Sequence, residues 1–269
     1  MRLVKTAVNM GNGAAIYIPK EYEGREIVVV LPEGIEEVKR RIISKLIPYM
    51  KNIVGVYLFG SYARGENKAG SDIDILIITK EKAGSDIRSL FPESEYEDAR
   101  FFTIESIENS IDTHPALIVP ILREAEILVN PVLIEELRKK EFSFSKFKWE
   151  FEDIKNIIKI IEEFINLDPK DIAISHIYSL IMRARVLYMI ESLLRNKIFS
   201  NSELRKEMIR RGLKPQEFDE FYQVYQEFRG EGEVEGSIEK EKIVKLISIV
   251  KRYAKETKNE AKKKSKKRT

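Results

Sequence analysis

Residues 54–78 constrain this chain more than any other part of it. Two apolar runs, Val54 to Phe59 and Ile73 to Ile78, are joined by a polar loop that opens with Gly60-Ser61 and closes on Asp72 and Asp74. Each run has the length and content of a buried strand. Gly60-Ser61, at the end of the first, can turn sharply and offer backbone N–H groups and a hydroxyl to an anion, especially if a helix starts there. Asp72 and Asp74 are two residues apart, and because strand side chains alternate, both carboxylates project from one face. Like charges on a strand face repel. A divalent cation removes that objection, and two carboxylates on a rigid face make a site for one. The bland alternative, a Gly-Ser turn before an aspartate-capped strand in an ordinary α/β protein, leaves the repulsion unanswered.

Gly60-Ser61-x-Ala-Arg64-Gly65, six further residues and then Asp72-x-Asp74 resembles the signature of the DNA polymerase β-like nucleotidyltransferase superfamily, in particular its minimal nucleotidyltransferases. Spacing and flanking runs together make this a far stronger signal than a lone glycine-rich loop. The resemblance implies an Mg2+- or Mn2+-dependent enzyme that binds an NTP, ATP favoured. Gly60, Ser61, Arg64 and Ser71 then contact the nucleotide, and Asp72 and Asp74 hold metal. It also implies a third carboxylate on a neighbouring strand. Asp98, followed by the apolar run to Thr103, fits that place best, with Glu95 and Glu97 as alternatives.

A chain of 269 residues is long enough for one large or two modest domains. No apolar run approaches the ~20 residues of a membrane span, and no charged-then-apolar leader opens the sequence. The expectation is a soluble, cytoplasmic protein without membrane contact. Zero cysteines exclude disulfides and thiolate zinc sites, and two histidines, His114 and His176, leave little for imidazole ligation, so any metal must be held by oxygen. The net charge of +3 is unevenly placed: residues 257–269 carry seven Lys/Arg against one Glu, so the remainder is net negative. Bulk charge therefore gives no argument for nucleic-acid binding. The tail from Lys262 to Arg268 is the one stretch that suits weak DNA or RNA contact, set against a solvated helix end.

Taken in order, the chain reads as α+β: a small N-terminal β-hairpin unit (1–32), a nucleotidyltransferase α/β domain with a short mixed sheet (33–141), a C-terminal helical bundle (142–256) and a basic tail (257–269). In the first unit, runs Leu3–Val8 and Ala14–Ile18 flank the turn Gly11-Asn12-Gly13, and a further run spans Ile27–Leu31. This wording is similar to the swapped-hairpin domains of AbrB-like DNA-binding proteins, which implies a homodimer; a purely structural or dimerising hairpin is the competing reading. So short a piece buries little alone. A helix is predicted from Ile35 to about Met50, a third strand over Asp98–Thr103, helices over 104–111 and 115–123, a closing strand over 125–129 and a helix over 131–140. From Phe142 the apolar spacing is helical throughout, giving five helices: 147–167, 170–197, 201–211, 215–228 and 239–255. Helical partners in the superfamily include HEPN domains, whose RNase motif places Arg before His. Here His176 precedes Arg183, so that motif is missing and a packed histidine is expected. Arg183, Arg185 and Arg229 are candidates for triphosphate or RNA, weighed against ordinary ion pairs.

The function expected from the resemblance is transfer of an NMP, AMP first, to a hydroxyl acceptor by two-metal catalysis. Some minimal nucleotidyltransferases act as antitoxins by adenylylating a toxin, so a protein acceptor leads and an RNA 3′ end or a small alcohol follows. The rival class is a nucleotide-sensing or DNA-binding regulator with a non-catalytic transferase fold. The intact Asp72/Asp74 pair argues against a dead site.

Overall fold

In the computed structural model, which describes residues 7–27, 34–67, 71–92, 96–167, 174–229 and 239–267, the Gly-Asn turn folds the chain back on itself. β1 (Val8–Met10) pairs antiparallel with β2 (Gly13–Ala15) through a two-residue loop. Only Gly11 in that loop has positive φ, at 62°, which is the pattern of a type II′ hairpin turn and needs no left-handed asparagine. Met10 and Tyr17 stay largely exposed. The expected strand at Ile27–Leu31 and the start of the Leu3–Val8 run lie outside the described residues.

α1 (Ile35–Leu46) buries Val38, Ile42 and Leu46 at four-residue spacing, one stripe of an otherwise charged helix. β3 (Ile53–Phe59) then runs into α2 (Gly60–Ala63), a single turn, and β4 (Ile73–Thr79) follows the motif loop. The polar stretch after β4 hides α3 (Ser85–Arg88), a short helix that seats Ile87, between Ala83 and Phe91, under the sheet. β5 (Glu97–Thr103), α4 (Ile104–Thr113), α5 (Pro115–Glu124), β6 (Glu126–Val129) and α6 (Pro131–Lys139) complete the expected series, each within a residue or two of the predicted bounds. The sheet order is β5-β4-β3-β6; β4 and β5 run parallel, and the other two pairings are antiparallel. A mixed sheet of this kind is what the sequence reading anticipates.

Alternation divides the sheet into two faces. Val56, Leu58, Ile73, Ile75 and Ile77 point to α1, α3 and Phe91, while Tyr57, Phe59, Leu76 and Ile78 point to the other side. That second side is covered by α4, α5 and α6 and is continuous with the core of five further helices: α7 (Lys148–Leu167), α8 (Ile174–Leu194), α9 (Asn201–Arg210), α10 (Pro215–Arg229) and α11 (Lys240–Lys267). α8 is central, packing on α5, α7, α10 and α11. Its buried side chains follow one stripe from Ile177 to Tyr188 and go right round the helix from Ile190 to Leu194. The five helices predicted for the bundle are therefore present, but they share one core with the sheet.

The basic tail does not stand apart. α11 continues past residue 256 to Lys267, with Thr257 and Ala261 only 2% and 3% exposed. These two positions extend the stripe of Val250 and Tyr253 by further turns, so apolar contact holds the helix onto the bundle beneath its lysines. No helix among the described residues is long and apolar enough to cross a membrane.

Candidate functional site

The site grows from the end of β3. Gly60 has φ +74°, a left-handed conformation that only glycine adopts without strain, and a Cβ built on it would collide with the carboxylate of Asp74. The turn is thus in direct contact with the carboxylate strand, and glycine is required there twice over. Tyr62, at 9% exposure, pins the turn to the α1 side of the sheet, and Ser61 is half-buried beside it.

Asp72 immediately precedes β4 and is exposed; Asp74 is the second residue of the strand and is half-buried; Ser71 is half-buried. In the parallel ladder Asp74 stands in register with Asp98, and across the antiparallel ladder it faces Phe59. In-register residues of neighbouring strands point the same way at a spacing of about 4.8 Å. Asp74 and Asp98 therefore share the face that carries Phe59, Leu76 and Ile78, with Asp72 brought to it by alternation. Asp98 is half-exposed and accepts from Arg100 Nη2 at 3.2 Å, while the Arg100 guanidinium lies over the Phe59 ring, 5.3 Å from its centroid. Among the described residues no group of three or more acidic or imidazole side chains is placed to hold a metal ion. The register places Asp74 and Asp98 on one face with Asp72 at its edge, so the acidic groups gathered there offer oxygen alone.

The register also separates Asp98 from its neighbour. Glu97 points to the opposite face, where its side chain is 2% exposed and is ion-paired to Arg41 and to Lys45 at 2.7 Å. It is a structural anchor for α1, not a third metal ligand. Glu95 lies outside the described residues.

Two further expectations change. Arg64 is not presented to a ligand: it is 12% exposed, donating to Glu124 Oε2 at 2.7 Å and to Glu66 Oε2 at 2.9 Å. The backbone N–H of Gly60 is likewise taken, donating to Glu124 Oε1 at 2.8 Å. Burial pushes Glu124 above the ordinary carboxylate range even with Arg64 beside it. Glu66 goes the other way: burial opposes its ionisation, but hydrogen bonds from Arg64 and Ser200, the Arg64 charge and the Asn201 N–H outweigh it and hold the carboxyl below its usual value. Sequence reasoning passed over both glutamates. Only the position of Glu66 directly after Gly65 was a signal; Glu124 carries none.

In the bundle, His176 packs against Phe164 with ring centroids 5.5 Å apart, and burial lowers its pKa. Arg183 is ion-paired to Asp153 at 3.1 Å, and Arg185 donates to Asn201 Oδ1 at 2.7 Å and Tyr222 OH at 2.9 Å. The side chain of Arg229 lies outside the described residues. A polar cavity of about 180 Å3 between α8 and α9 is lined by bundle residues, its Arg195, Lys206 and Arg210 each paired with a glutamate of its own wall.

A strand ending in a left-handed glycine, one helical turn and a returning strand with paired aspartates form the frame of a known family, and its model, described as a nucleotidyltransferase domain, matches residues 35–199. The chain belongs to this nucleotidyltransferase family. The match spans both sheet faces and runs past residue 142 through the whole of α8, leaving residues 1–34 outside, so the AbrB-like likeness has no counterpart in it. A comparison with curated proteins gave no match. Among solved structures, this nucleotidyltransferase is similar to spectinomycin adenyltransferase AAD(9) from Enterococcus faecialis with ATP and spectinomycin, at 18% identity over 81% of this chain and 98% of that one, with a TM-score of 0.43. It is also similar to a toxin-antitoxin with AMP-PNP, at 19% identity over 47% of this chain and 98% of that one, TM-score 0.29. A toxin-antitoxin MntA-HpeT mutant gives 17% identity over the same shares, TM-score 0.28. All three TM-scores are low, and none of these likenesses bears on the acceptor.

Proposed function

We propose that the chain transfers an NMP, AMP first, from an NTP to a hydroxyl, with a protein side chain as the leading acceptor and an RNA end as the other. One observation carries this reading: the Gly60 turn touches the Asp74 carboxylate, which stands in register with Asp98. A site for phosphate and a site for cations are thereby fused into one.

In this reading Asp72, Asp74 and Asp98 hold Mg2+ or Mn2+, ions that prefer the carboxylate oxygens these residues offer. When bound, they supply neutralisation of the phosphate charge and a lowered pKa for the attacking hydroxyl. Ser61 and the turn that follows Gly60 hold the terminal phosphates, with Ser71 flanking them from the start of β4. The acceptor oxygen attacks the α-phosphorus, its proton passes to Asp98, and the bond to pyrophosphate breaks. Arg64 serves as a structural clamp behind the turn. Placement and charge supply the rate, so no covalent side-chain nucleophile is needed.

The hairpin fits a second copy of the chain better than DNA. Met10 and Tyr17 are 67% and 71% exposed, whereas residues 1–32 place Arg2, Lys5, Lys20 and Arg25 against Glu21, Glu23 and Glu26, too little net charge for phosphate-driven binding. The chain is read as a homodimeric cytoplasmic enzyme whose basic helix end adds at most weak nucleic-acid contact.

The test is incubation of the protein with each of four α-labelled NTPs and Mg2+, cell lysate and RNA serving as acceptor sources, with Asp74→Asn alongside. Label should transfer from ATP in the parent and not in the variant. Undiminished transfer by Asp74→Asn, or nucleotide binding indifferent to chelation of the metal, would overturn the assignment.

A further inference from the structure

The phosphate turn is tied to the helical bundle by an unbroken chain of polar contacts. Gly60 N–H donates to one oxygen of Glu124, and the other oxygen accepts from Arg64 Nη1. Arg64 Nε donates to Glu66 at 2.9 Å. Glu66 in turn accepts from Ser200 Oγ at 2.9 Å, from Asn201 N at 3.1 Å and from Asn201 Nδ2 at 2.9 Å, contacts that join residues 134 and 135 apart in sequence. Asn201 Oδ1 then accepts from Arg185 on α8 and from Tyr222 on α10. Phe199 closes the side of this chain, with the Arg64 and Arg185 guanidinium groups 5.4 and 5.0 Å from its ring centroid.

Two arginines and two glutamates balance in charge along this path, so it leaves no net charge to attract a ligand of its own. Stability alone is a weak reason for such an arrangement, because well-packed apolar side chains replace a buried ionic network at little or no cost. Its end points are more telling. One is the N–H of the glycine that sets the direction of the phosphate turn; the other is the first turn of α9, whose N-cap Ser200 donates its hydroxyl hydrogen to Glu66 while accepting from Glu203 N. From Gly60 to Asn201 each link is a hydrogen bond to or from a charged side chain, the strong kind.

We propose that Glu66 is a positioning residue that ties the phosphate turn to the N-terminus of α9, so that the bundle, and not the sheet alone, sets the orientation of the nucleotide site. The nucleotide part of this statement rests on the function proposed above. A shift of α9, for instance when an acceptor protein docks on the bundle, is thereby transmitted to Gly60 and Ser61.

The test uses the full chain with Asn201→Ala and, separately, Glu66→Gln, reading amide hydrogen exchange over residues 60–66 together with KM and kcat for Mg-ATP. Loss of charge-assisted hydrogen bonds should raise exchange over 60–66 by about tenfold in either variant, with the strand amides of 75–78 unchanged. KM for Mg-ATP should rise by about the same factor, with kcat little altered. If one variant does not fold, the other reads the same tie from its opposite end. Faster exchange over 60–66 in protein that does not bind Mg-ATP at all would uphold the tie and sink the nucleotide reading. Exchange over 60–66 that stays at the parent rate while residues 201–204 loosen would overturn the proposal.

Discussion

Replacing Gly60 by alanine isolates the contact on which the site depends, and Gly65 supplies its control. Both glycines have positive φ, +74° and +65°, so alanine at either pays the left-handed penalty of about 1–2 kcal/mol. For a chain of this size that amounts to roughly 2–8 °C in Tm. They differ in what a Cβ meets. At Gly65 nothing lies within 4 Å, whereas at Gly60 the Cβ overlaps the carboxylate of Asp74. Relief requires Asp74 or the turn to withdraw, and a displacement of about 1 Å at a reacting centre costs about a hundredfold in rate. Gly65→Ala should therefore lose stability and keep most of its transfer rate in the folded protein. Gly60→Ala should lose at least as much stability and about two further orders of magnitude in kcat/KM. Thermal melts and labelled-NMP transfer measure the two quantities on the same samples. Equal transfer rates for the two variants would show that the turn and Asp74 do not act together, and the fused-site argument would fail.

The assignment of Asp98 over Glu97 is tested by swapping each for its amide: Asp98→Asn should abolish transfer with little change in Tm. Glu97→Gln, which removes a buried carboxylate from between Arg41 and Lys45, should melt early yet transfer normally while folded, and the reverse pattern would reassign the ligand. Glu66, whose folded pKa is depressed, contributes stability that is present above the unfolded value of 4.5 and lost as pH falls through the folded value. The Tm gap between parent and Glu66→Gln should accordingly narrow on acidification from pH 6 towards 3, and a widening gap would contradict the sign. Deleting residues 1–32 should reduce the sedimenting mass to that of a smaller oligomer; an unchanged mass would place the hairpin on its own catalytic domain. Changing Lys262, Lys263 and Lys264 to glutamine should remove whatever nucleic-acid retention exists at low salt, and retention that survives would put the contact elsewhere.

Local pattern was enough for most of the elements. The apolar spacing of Val38, Ile42 and Leu46 marks α1, and the runs on either side of the motif mark β3 and β4, because each signal is contained within one element. Asp98 and Glu97 could not be separated that way. A shift of one residue in the register of β5 exchanges the faces of both, and register is set by pairing with β4, not by the sequence of β5 alone. Likewise the burial of Thr257 and Ala261 is hidden among lysines, and only the packed stripe of α11 makes it apparent. Arg64 illustrates a different gap. Motif position suggested a phosphate ligand, but its partners are Glu66 and Glu124, and the second is 60 residues away with no pattern of its own.

The helices beyond residue 142 are packed with the sheet in one apolar core. Tyr57, Phe59, Leu76 and Ile78 belong to the same core as Ile177, Leu187 and Tyr253, so the sheet and the bundle share one apolar interior through α4, α5 and α6. The match to the nucleotidyltransferase domain ends at Phe199. One residue further on, Ser200 and then Asn201 receive Glu66. A chain ending at 199 would leave that carboxylate without its α9 partners and Arg64 with a weakened anchor, at a cost characteristic of half-broken buried networks. The family-matched segment therefore contains Gly60, Asp72, Asp74 and Asp98, while the partners of Glu66 at the start of α9 lie just beyond it. On the tie proposed above, changes in α8, α9 or α10 would reach Gly60 through Asn201 and Glu66, whichever acceptor the site serves.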